Sequence, residues 1–350
     1  MNETGSSAIG ELIIRLHIYY LPLIIVFGLL GNLLSAIVFL FSNLNQFSSS
    51  VYLSALSLAD ICFLLCLFLN WLLWIGTDLI NYEVCCQLFA YISHVSSSLS
   101  FLFILAFTVE RYVVVLLPLH KFVWCTIGRA RKIIYILVAL CLVLQMIHIF
   151  SSEVKVKNEY NETKRICEPK KSFRYHLNFF VLFDSIITFF LPFFVILVAN
   201  FRICVRIWMT MRRRDEMTTI PASQRQELRI TVLLVFVSVT FFVLNAPAHA
   251  FKLAAVVHTV RDTHSAYGPL TINLQSLSNL LYYTSHAVNF LLYSIGGNTF
   301  RQALLNYGRR LFQLQRHSSY AESNRQTLLT PNHGSRSSNR KNRQNMGSAI

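Results

Sequence analysis

The chain has 350 residues, of which 54% are hydrophobic and 13% are charged, and it carries a formal net charge of +15. Roughly 25% of the residues of a typical soluble domain are charged, so this composition excludes an ordinary water-soluble domain and indicates a membrane protein. Basic residues in such a chain set its topology in the membrane, and we therefore expect no nucleic-acid partner.

Seven apolar runs are long enough to cross a bilayer, since a transmembrane helix needs about 20 mostly apolar residues. They are too long for strands, so the sequence predicts an all-α bundle of seven transmembrane helices. The bundle is expected over residues 12–293, after an extracellular N-terminal segment, residues 1–11. The runs are Leu12–Phe41, Ser49–Ile75, Gln87–Leu116, Ile133–Phe150, Leu177–Met209, Glu227–His258 and Thr271–Tyr293.

Sugar acceptors and basic residues indicate the orientation of the bundle. The sequons at Asn2 and Asn161 fall on one face of a seven-span chain, and both asparagines are expected to be glycosylated. Basic residues gather on the opposite face, after spans three and five, as the positive-inside rule describes for a cytoplasmic face. The N-terminus is therefore expected outside the cell. No cleavable signal-peptide pattern precedes span one, so this span is expected to insert by itself.

Three of the eight cysteines fall on the outer, oxidising face. Cys167 lies in the loop after span four, and Cys85 and Cys86 open span three. A disulfide from Cys167 to either neighbour would pin that loop over the mouth of the bundle. A free buried thiol at each position is the alternative.

Glu110-Arg111-Tyr112 ends an apolar run at the inner boundary of span three. An acid and a base at the end of a span can be held as an ion pair and released as a switch. Such a triplet occurs by chance in many proteins. It is informative here because it lies at the end of one of seven predicted spans.

Motifs in successive spans occur in a fixed order and together resemble the rhodopsin-like G-protein-coupled receptors, from Leu12 to Leu311. The resemblance implies a receptor of the plasma membrane that passes a conformational change to a heterotrimeric G protein and catalyses no covalent chemistry. The motifs are Gly31-Asn32, Leu56-Ser57-Leu58-Ala59-Asp60, Glu110-Arg111-Tyr112 with Pro118, Pro192, Phe241 with Pro247, and Asn289-Phe290-Leu291-Leu292-Tyr293.

Departures from the family pattern narrow the resemblance. Asn245 replaces the usual tryptophan of span six, Phe290 the usual proline of span seven, and Asn200 a common tyrosine of span five. With them the chain resembles invertebrate neuropeptide receptors of the FMRFamide and myosuppressin type, which implies a short amidated neuropeptide as extracellular ligand. A secondary transporter of a small solute is the alternative from another class. Transporters tend to carry internal repeats, and no repeat relates the two halves of this chain.

Asp60 is expected near the middle of the bilayer, where a lone carboxylate costs several kcal/mol unless it is paired or protonated. The resemblance implies a sodium ion bound by Asp60, Ser100 and Asn289, with Asn32 and Ser285 beside them. Carboxylate, hydroxyl and amide oxygens suit such a hard cation. A protonated aspartate in a structural polar network is one alternative. Replacement of the ion by the unusual neighbour His286 is another. No other cofactor is expected.

The resemblance also implies which residues switch and couple. Arg111 is expected to pair with Glu110 and, across the bundle, with Glu227 at the inner start of span six. Breaking the second pair would let span six swing outward and open a cleft for a partner helix. A plain interfacial salt bridge is the alternative. Tyr112, Asn289 and Tyr293 complete the expected coupling residues, and the family pairs Cys167 with Cys86.

Ligand contacts are expected at the outer end of the bundle. Ser93 stands where amine receptors carry an aspartate, and span seven has no lysine for retinal, so both of those ligand classes are disfavoured. Asp184 is an intramembrane acid that could hold a peptide guanidinium; a salt bridge to Lys252 or Arg174 is the alternative. The candidate ligand-binding residues are Asn70, Trp71, Trp74, Ser93, Asp184, His249, Lys252, Gln275, Asn279 and Tyr283.

Two cytoplasmic segments follow the seventh span. Residues 298–313 are expected to form a short amphipathic eighth helix on the inner lipid surface. Residues 314–350 lose periodicity and become rich in Ser, Asn and Arg, which predicts a disordered tail. Its serines and threonines are candidate sites for a receptor kinase, after which arrestin could bind.

Overall fold

A computed structural model of the chain describes residues 3–77, 79–159, 162–212, 222–260, 269–298, 300–309 and 313. The chain divides into two units, Met1–Leu304 and Leu305–Ile350. The second unit is described only at residues 305–309 and 313, which are helical. Helix also covers residues 300–304, so the described part of the predicted eighth helix is helical, while its position on a lipid surface stays a prediction. The tail and both glycosylation sites, Asn2 and Asn161, lie outside the described residues.

The first unit is a bundle of long helices. Its helices are α1 (Glu3–Arg15), α2 (Leu21–Phe41), α3 (Ser48–Trp74), α4 (Glu83–Leu116), α5 (Lys121–Trp124), α6 (Ile127–Leu144), α7 (Ile147–Ser151), α8 (Arg174–Ser185), α9 (Leu191–Arg212), α10 (Ala222–Val260), α11 (Pro269–Ala287) and α12 (Asn289–Gly296). Two π-helical segments, Leu16–Tyr20 and Ile186–Phe190, join α1 to α2 and α8 to α9. Each precedes a proline, Pro22 or Pro192, whose missing N–H removes one helical hydrogen bond.

Within the described residues, six helices are long and apolar enough to cross a membrane. They correspond to the first six predicted spans. The first, third and fourth begin several residues before the apolar run, whereas the sixth begins well after the start of its run. The seventh predicted span forms α11 and α12, which are interrupted at Val288 and carry more polar side chains. The six helices are Ile9–Phe41, Ser48–Trp74, Glu83–Leu116, Ile127–Ser151, Asn178–Met209 and Val235–Val257.

Two glycines bring α2 into close contact with the seventh span. A Cβ at Gly28 would lie 2.8 Å from the Cβ of Ala287, and a Cβ at Gly31 would lie 2.7 Å from the Cβ of Phe290. The two glycines are three residues apart, so they share one face of α2. Small residues allow such approach between membrane helices. The Cβ of Phe290 therefore occupies space that a side chain at position 31 would need, and the first ring carbon lies next to it at 3.1 Å.

An antiparallel hairpin lies between α7 and α8, where the sequence predicted only a loop. Strands β1 (Ser152–Glu159) and β2 (Glu162–Pro169) pair with Val154 opposite Cys167 and Lys155 opposite Ile166. The hairpin is an addition to the predicted all-α bundle, which is confirmed. In the first strand Val154 and Val156 alternate with charged residues, but the second strand shows no such alternation, so the pattern did not indicate a hairpin.

Candidate functional site

A cavity of about 490 Å³ opens beneath the hairpin, among α3, α4, α8, α10 and α11. This volume is in the range of small-ligand pockets, roughly 300–1,000 Å³. Seven of the ten predicted ligand residues line it: Asn70, Ser93, Asp184, His249, Lys252, Asn279 and Tyr283.

The other three predicted ligand residues, Trp71, Trp74 and Gln275, do not line the cavity. Trp74 ends α3 and stacks on His17, with ring centroids 4.6 Å apart. Trp71 stacks on Phe68 at 6.0 Å, because one residue after Asn70 the helix has turned by about 100°. Gln275 lies one turn before Asn279 on α11, outside the cavity lining.

Asp184 is held by Gln145 rather than by a basic residue. Gln145 caps the C-terminus of α6, where its Nε2 donates to Asp184 Oδ1 at 2.8 Å and to Ser98 Oγ at 2.9 Å. The predicted alternative partner Lys252 makes no ion pair within 4.0 Å with a described carboxylate, and the side chain of Arg174 lies outside the described part. A carboxylate has about four acceptor sites, so Asp184 keeps capacity for a further donor.

Lys252 places an ammonium group in the same cavity. Its Nζ lies 5.2 Å from the centre of the Tyr282 ring, a cation–π distance. The Tyr282 hydroxyl is hydrogen-bonded to Ser97 Oγ, which fixes the ring. The cavity therefore contains the Asp184 carboxylate and the Lys252 ammonium, which are not paired with each other, and both can take groups of a polar ligand.

Three histidines line the cavity, and only His249 was predicted. Its ring stacks on Phe189 with centroids 4.0 Å apart, and both ring nitrogens are buried without a partner among the described residues. His94 and His148 stack at 3.6 Å, and His94 Nδ1 bonds to the Ala90 carbonyl at 2.8 Å. In the sequence, His94 could have been found as the neighbour of the predicted ligand residue Ser93, whereas nothing indicated His148. Buried imidazole nitrogens without partners are available to a ligand.

The hairpin covers this cavity and is tied to α4. Cys86 and Cys167 form the disulfide that the resemblance implied. The Cys167 N–H also donates to Asn81 Oδ1 at 2.9 Å. Within the hairpin, Lys155 Nζ lies 2.9 Å from both Glu153 and Glu168, and these carboxylates raise the pKa of Lys155 above its ordinary value. Glu168 and Pro169 reach the cavity, so the hairpin contributes to its roof.

The inner end of α4 carries the predicted coupling triplet. Arg111 Nη2 lies 3.5 Å from Glu110 Oε1, and both side chains are buried. The Arg111 guanidinium also lies 5.6 Å from the centre of the Phe107 ring. The side chain of Glu227 lies outside the described part, and its pairing with Arg111 stays a prediction. Tyr293 is buried and its ring contacts Phe39 and Phe300.

A polar network around Asp60 lies between the cavity and this inner end. Asp60 is 0% exposed, and it accepts hydrogen bonds from Ser100 Oγ at 2.8 Å, His286 Nδ1 at 2.7 Å and Asn289 Nδ2 at 2.6 Å. These donors come from α4, α11 and α12. Asp60, Ser100 and Asn289 are therefore together, as predicted, with the His286 ring among them. Such hydrogen bonds stabilise a carboxylate that would otherwise be costly to bury.

Comparison with known proteins identifies the family. The family described as 7 transmembrane receptor (rhodopsin family) matches residues 31–293. The human growth hormone secretagogue receptor type 1 is 27% identical over 80% of this chain and 76% of its own length. The FMRFamide peptide receptor frpr-18 of Caenorhabditis elegans is 26% identical over 81% of this chain and 66% of its own length. For the FMRFamide receptor of Drosophila melanogaster the match is 26% over 58% of this chain and 36% of that receptor. The chain is a multi-pass plasma membrane protein, a receptor and not an enzyme, and it belongs to the rhodopsin family of 7 transmembrane receptors.

Proposed function

We propose that this receptor binds a short amidated neuropeptide in the cavity beneath the hairpin and activates a heterotrimeric G protein at the opposite end of the bundle. The cavity carries this proposal, because it contains a carboxylate, Asp184, and an ammonium, Lys252, that form no ion pair with any residue that the structure describes, between aromatic walls. A peptide end supplies the complementary groups: a cation, an aromatic ring and a terminal amide. Two of the relatives are named for FMRFamide, a peptide of this kind.

Each end of the ligand has a proposed contact. Asp184 takes a guanidinium, since Gln145 fixes the carboxylate and leaves acceptor sites open. Lys252 donates to the carbonyl oxygen of the terminal carboxamide, since its ammonium faces the cavity with no carboxylate among the described residues within ion-pair distance. Phe63, Phe101 and Tyr283 provide apolar surface for the aromatic ring. The peptide would thus lie between two fixed charges of opposite sign, which sets its direction in the cavity.

Coupling is proposed to depend on Arg111. Its guanidinium is buried beside Glu110 and Phe107, so it needs a new partner when the bundle opens. Glu227 is proposed as a second restraint at the inner start of α10, with Asn289, Tyr112 and Tyr293 in the same switch. An outward movement of α10 would free Arg111 for a helix of the G protein.

The proposed orientation, with the ligand cavity outside the cell and Arg111 inside, also determines where the other partners bind. The N-terminus, the glycans at Asn2 and Asn161 and the disulfide-tied hairpin face the outside, where disulfides persist. The eighth helix is proposed to lie on inner-leaflet lipid, and the tail, residues 314–350, to meet a receptor kinase and then arrestin.

A screen of amidated peptides tests the function. Cells expressing the full chain are exposed to peptides with basic and aromatic C-terminal residues, and calcium and cyclic AMP are read together. The Arg111→Ala variant is the matched control, and it should bind the active peptide with unchanged affinity but give no second-messenger response. Glu227→Ala should raise basal signalling. If no amidated peptide acts and labelled peptides do not bind at the cell surface, the proposed ligand class is wrong.

A further inference from the structure

The polar network around Asp60 departs from the sodium site that the family resemblance implies. A bound sodium ion needs several oxygen lone pairs directed at one shared point. In this chain the groups around Asp60 direct hydrogens at the carboxylate instead. Ser100 Oγ and His286 Nδ1 both donate to Oδ1, at 2.8 and 2.7 Å, and Asn289 Nδ2 donates to Oδ2 at 2.6 Å.

Two further groups that the resemblance assigned to the ion have other partners. Ser285 Oγ donates to the Tyr282 carbonyl at 2.7 Å and lies 3.3 Å from Asn245 Oδ1. Asn32 Nδ2 donates to the carbonyls of Gly28 and His286, both at 2.9 Å, while its Oδ1 is buried without a partner among the described residues. Neither side chain bonds to Asp60. Asn32 Oδ1 is thus one open oxygen, which is too few for an ion beside a carboxylate that already accepts three hydrogen bonds, and the residues present do not fit the ion.

His286 occupies the position beside the carboxylate where a cation would sit. A carboxylate only accepts hydrogen bonds, so the Nδ1 atom that faces it carries the hydrogen. The ring is held in place on its face by Phe63, at a centroid distance of 4.1 Å, and by the edge of Tyr282 at 5.3 Å. His286 is 0% exposed, so solvent does not compete for this hydrogen bond.

We propose that the His286 side chain replaces the sodium ion in this receptor, so that Asp60 is bonded permanently to α11 and the receptor is insensitive to sodium. Phe63 and Tyr282 also line the ligand cavity, so the two rings that hold His286 form part of its wall. A ligand that moves either ring changes the position of His286 directly. The link between the ligand cavity and Asp60 is thus a covalently fixed side chain and does not require an exchangeable ion.

Thermal unfolding of the purified full-length receptor tests this proposal without a ligand. The Tm is measured in sodium chloride and in N-methylglucamine chloride at equal concentration. The native chain should give the same Tm in both salts. His286→Ser removes the ring and adds a hydroxyl oxygen, so its Tm should rise by a few degrees, saturably, with sodium alone. Adding Asp60→Asn to His286→Ser should abolish that rise.

Two results would overturn the proposal. The first is a saturable, sodium-specific rise in the Tm of the native chain that Asp60→Asn removes. The second is the lack of any sodium effect in His286→Ser, because the ring would then not be what excludes the ion. If His286→Ser does not fold, His286→Asn takes its place with a smaller change in volume. Peptide binding enters none of these measurements, so their outcome is independent of the proposed function.

Discussion

Asp60 and Asp184 are both carboxylates inside the helical bundle, but their surroundings differ. Asp60 is fully buried, and side chains from three other helices donate to both of its oxygens. Asp184 accepts from the side chain of Gln145 and otherwise faces a cavity. The first carboxylate is bonded to three other helices, whereas the second is the proposed contact for a cationic group of the ligand. Each prediction below changes one of these two regions.

Asp60→Ala should have the largest effect, since it leaves three buried donors without an acceptor. Each buried donor left without an acceptor costs about 1–3 kcal/mol, so the Tm should fall strongly and most of the receptor should not reach the cell surface. Asp60→Asn is the matched control, because its one carbonyl oxygen should retain part of the network and of the stability. An unchanged Tm in Asp60→Ala would show that Asp60 does not stabilise the fold, and the proposed difference from Asp184 would be wrong.

Loss of the disulfide should come next and should affect the outer region alone. The bridge closes a sequence separation of 81 residues, and removing a native disulfide typically costs about 2–5 kcal/mol. Cys86→Ala and Cys167→Ala should therefore lose surface expression or peptide binding alike. Cys85→Ala, at the free neighbouring thiol, should behave as the native chain. An intact peptide response in either bridge variant would show that the hairpin is not needed over the cavity.

Asp184→Asn should act on the ligand and leave the fold intact. A hydrogen bond to a charged group is worth roughly 1.5–3 kcal/mol, so binding of an arginine-containing peptide should weaken by about 10- to 100-fold. The same peptide with citrulline in place of arginine should lose little affinity in this variant. Competition binding measures both peptides, and an equal loss for the two would mean that Asp184 serves the structure, as Asp60 does.

Lys155→Gln should have the smallest effect. Glu153 and Glu168 raise the pKa of Lys155, so the contribution of this ammonium is fully present below the pKa of lysine in the unfolded chain. It is lost only as the pH rises through the higher folded value. Tm measured from mildly acidic to mildly alkaline pH should therefore run parallel in the native and variant receptors. If the two Tm curves diverge near neutral pH, the pKa of Lys155 is not raised by the two glutamates.

The spans and most of the cavity could be predicted from the sequence, because apolar run length determines where helices cross lipid. Asn70 lines the cavity, whereas the neighbouring Trp71 and Trp74 do not. Which residues of a helix face the cavity depends on the rotation of the helix about its axis. A span that is apolar on all sides gives little indication of that rotation. The hairpin and the contact of Gln145 with Asp184 depend on where α6 ends, which sequence reasoning places only within several residues.

The close approach of Gly31 to Phe290 has a consequence for how chains of this type diversify. A Cβ at position 31 would lie 2.7 Å from the Cβ of Phe290, and every residue except glycine carries a Cβ at position 290. We therefore expect homologues with this helix spacing to keep glycine at position 31, whether phenylalanine or the family's usual proline stands at position 290. Glycine at position 31 then becomes a sequence marker of how closely these two helices approach, and it can be recognised without reference to any ligand.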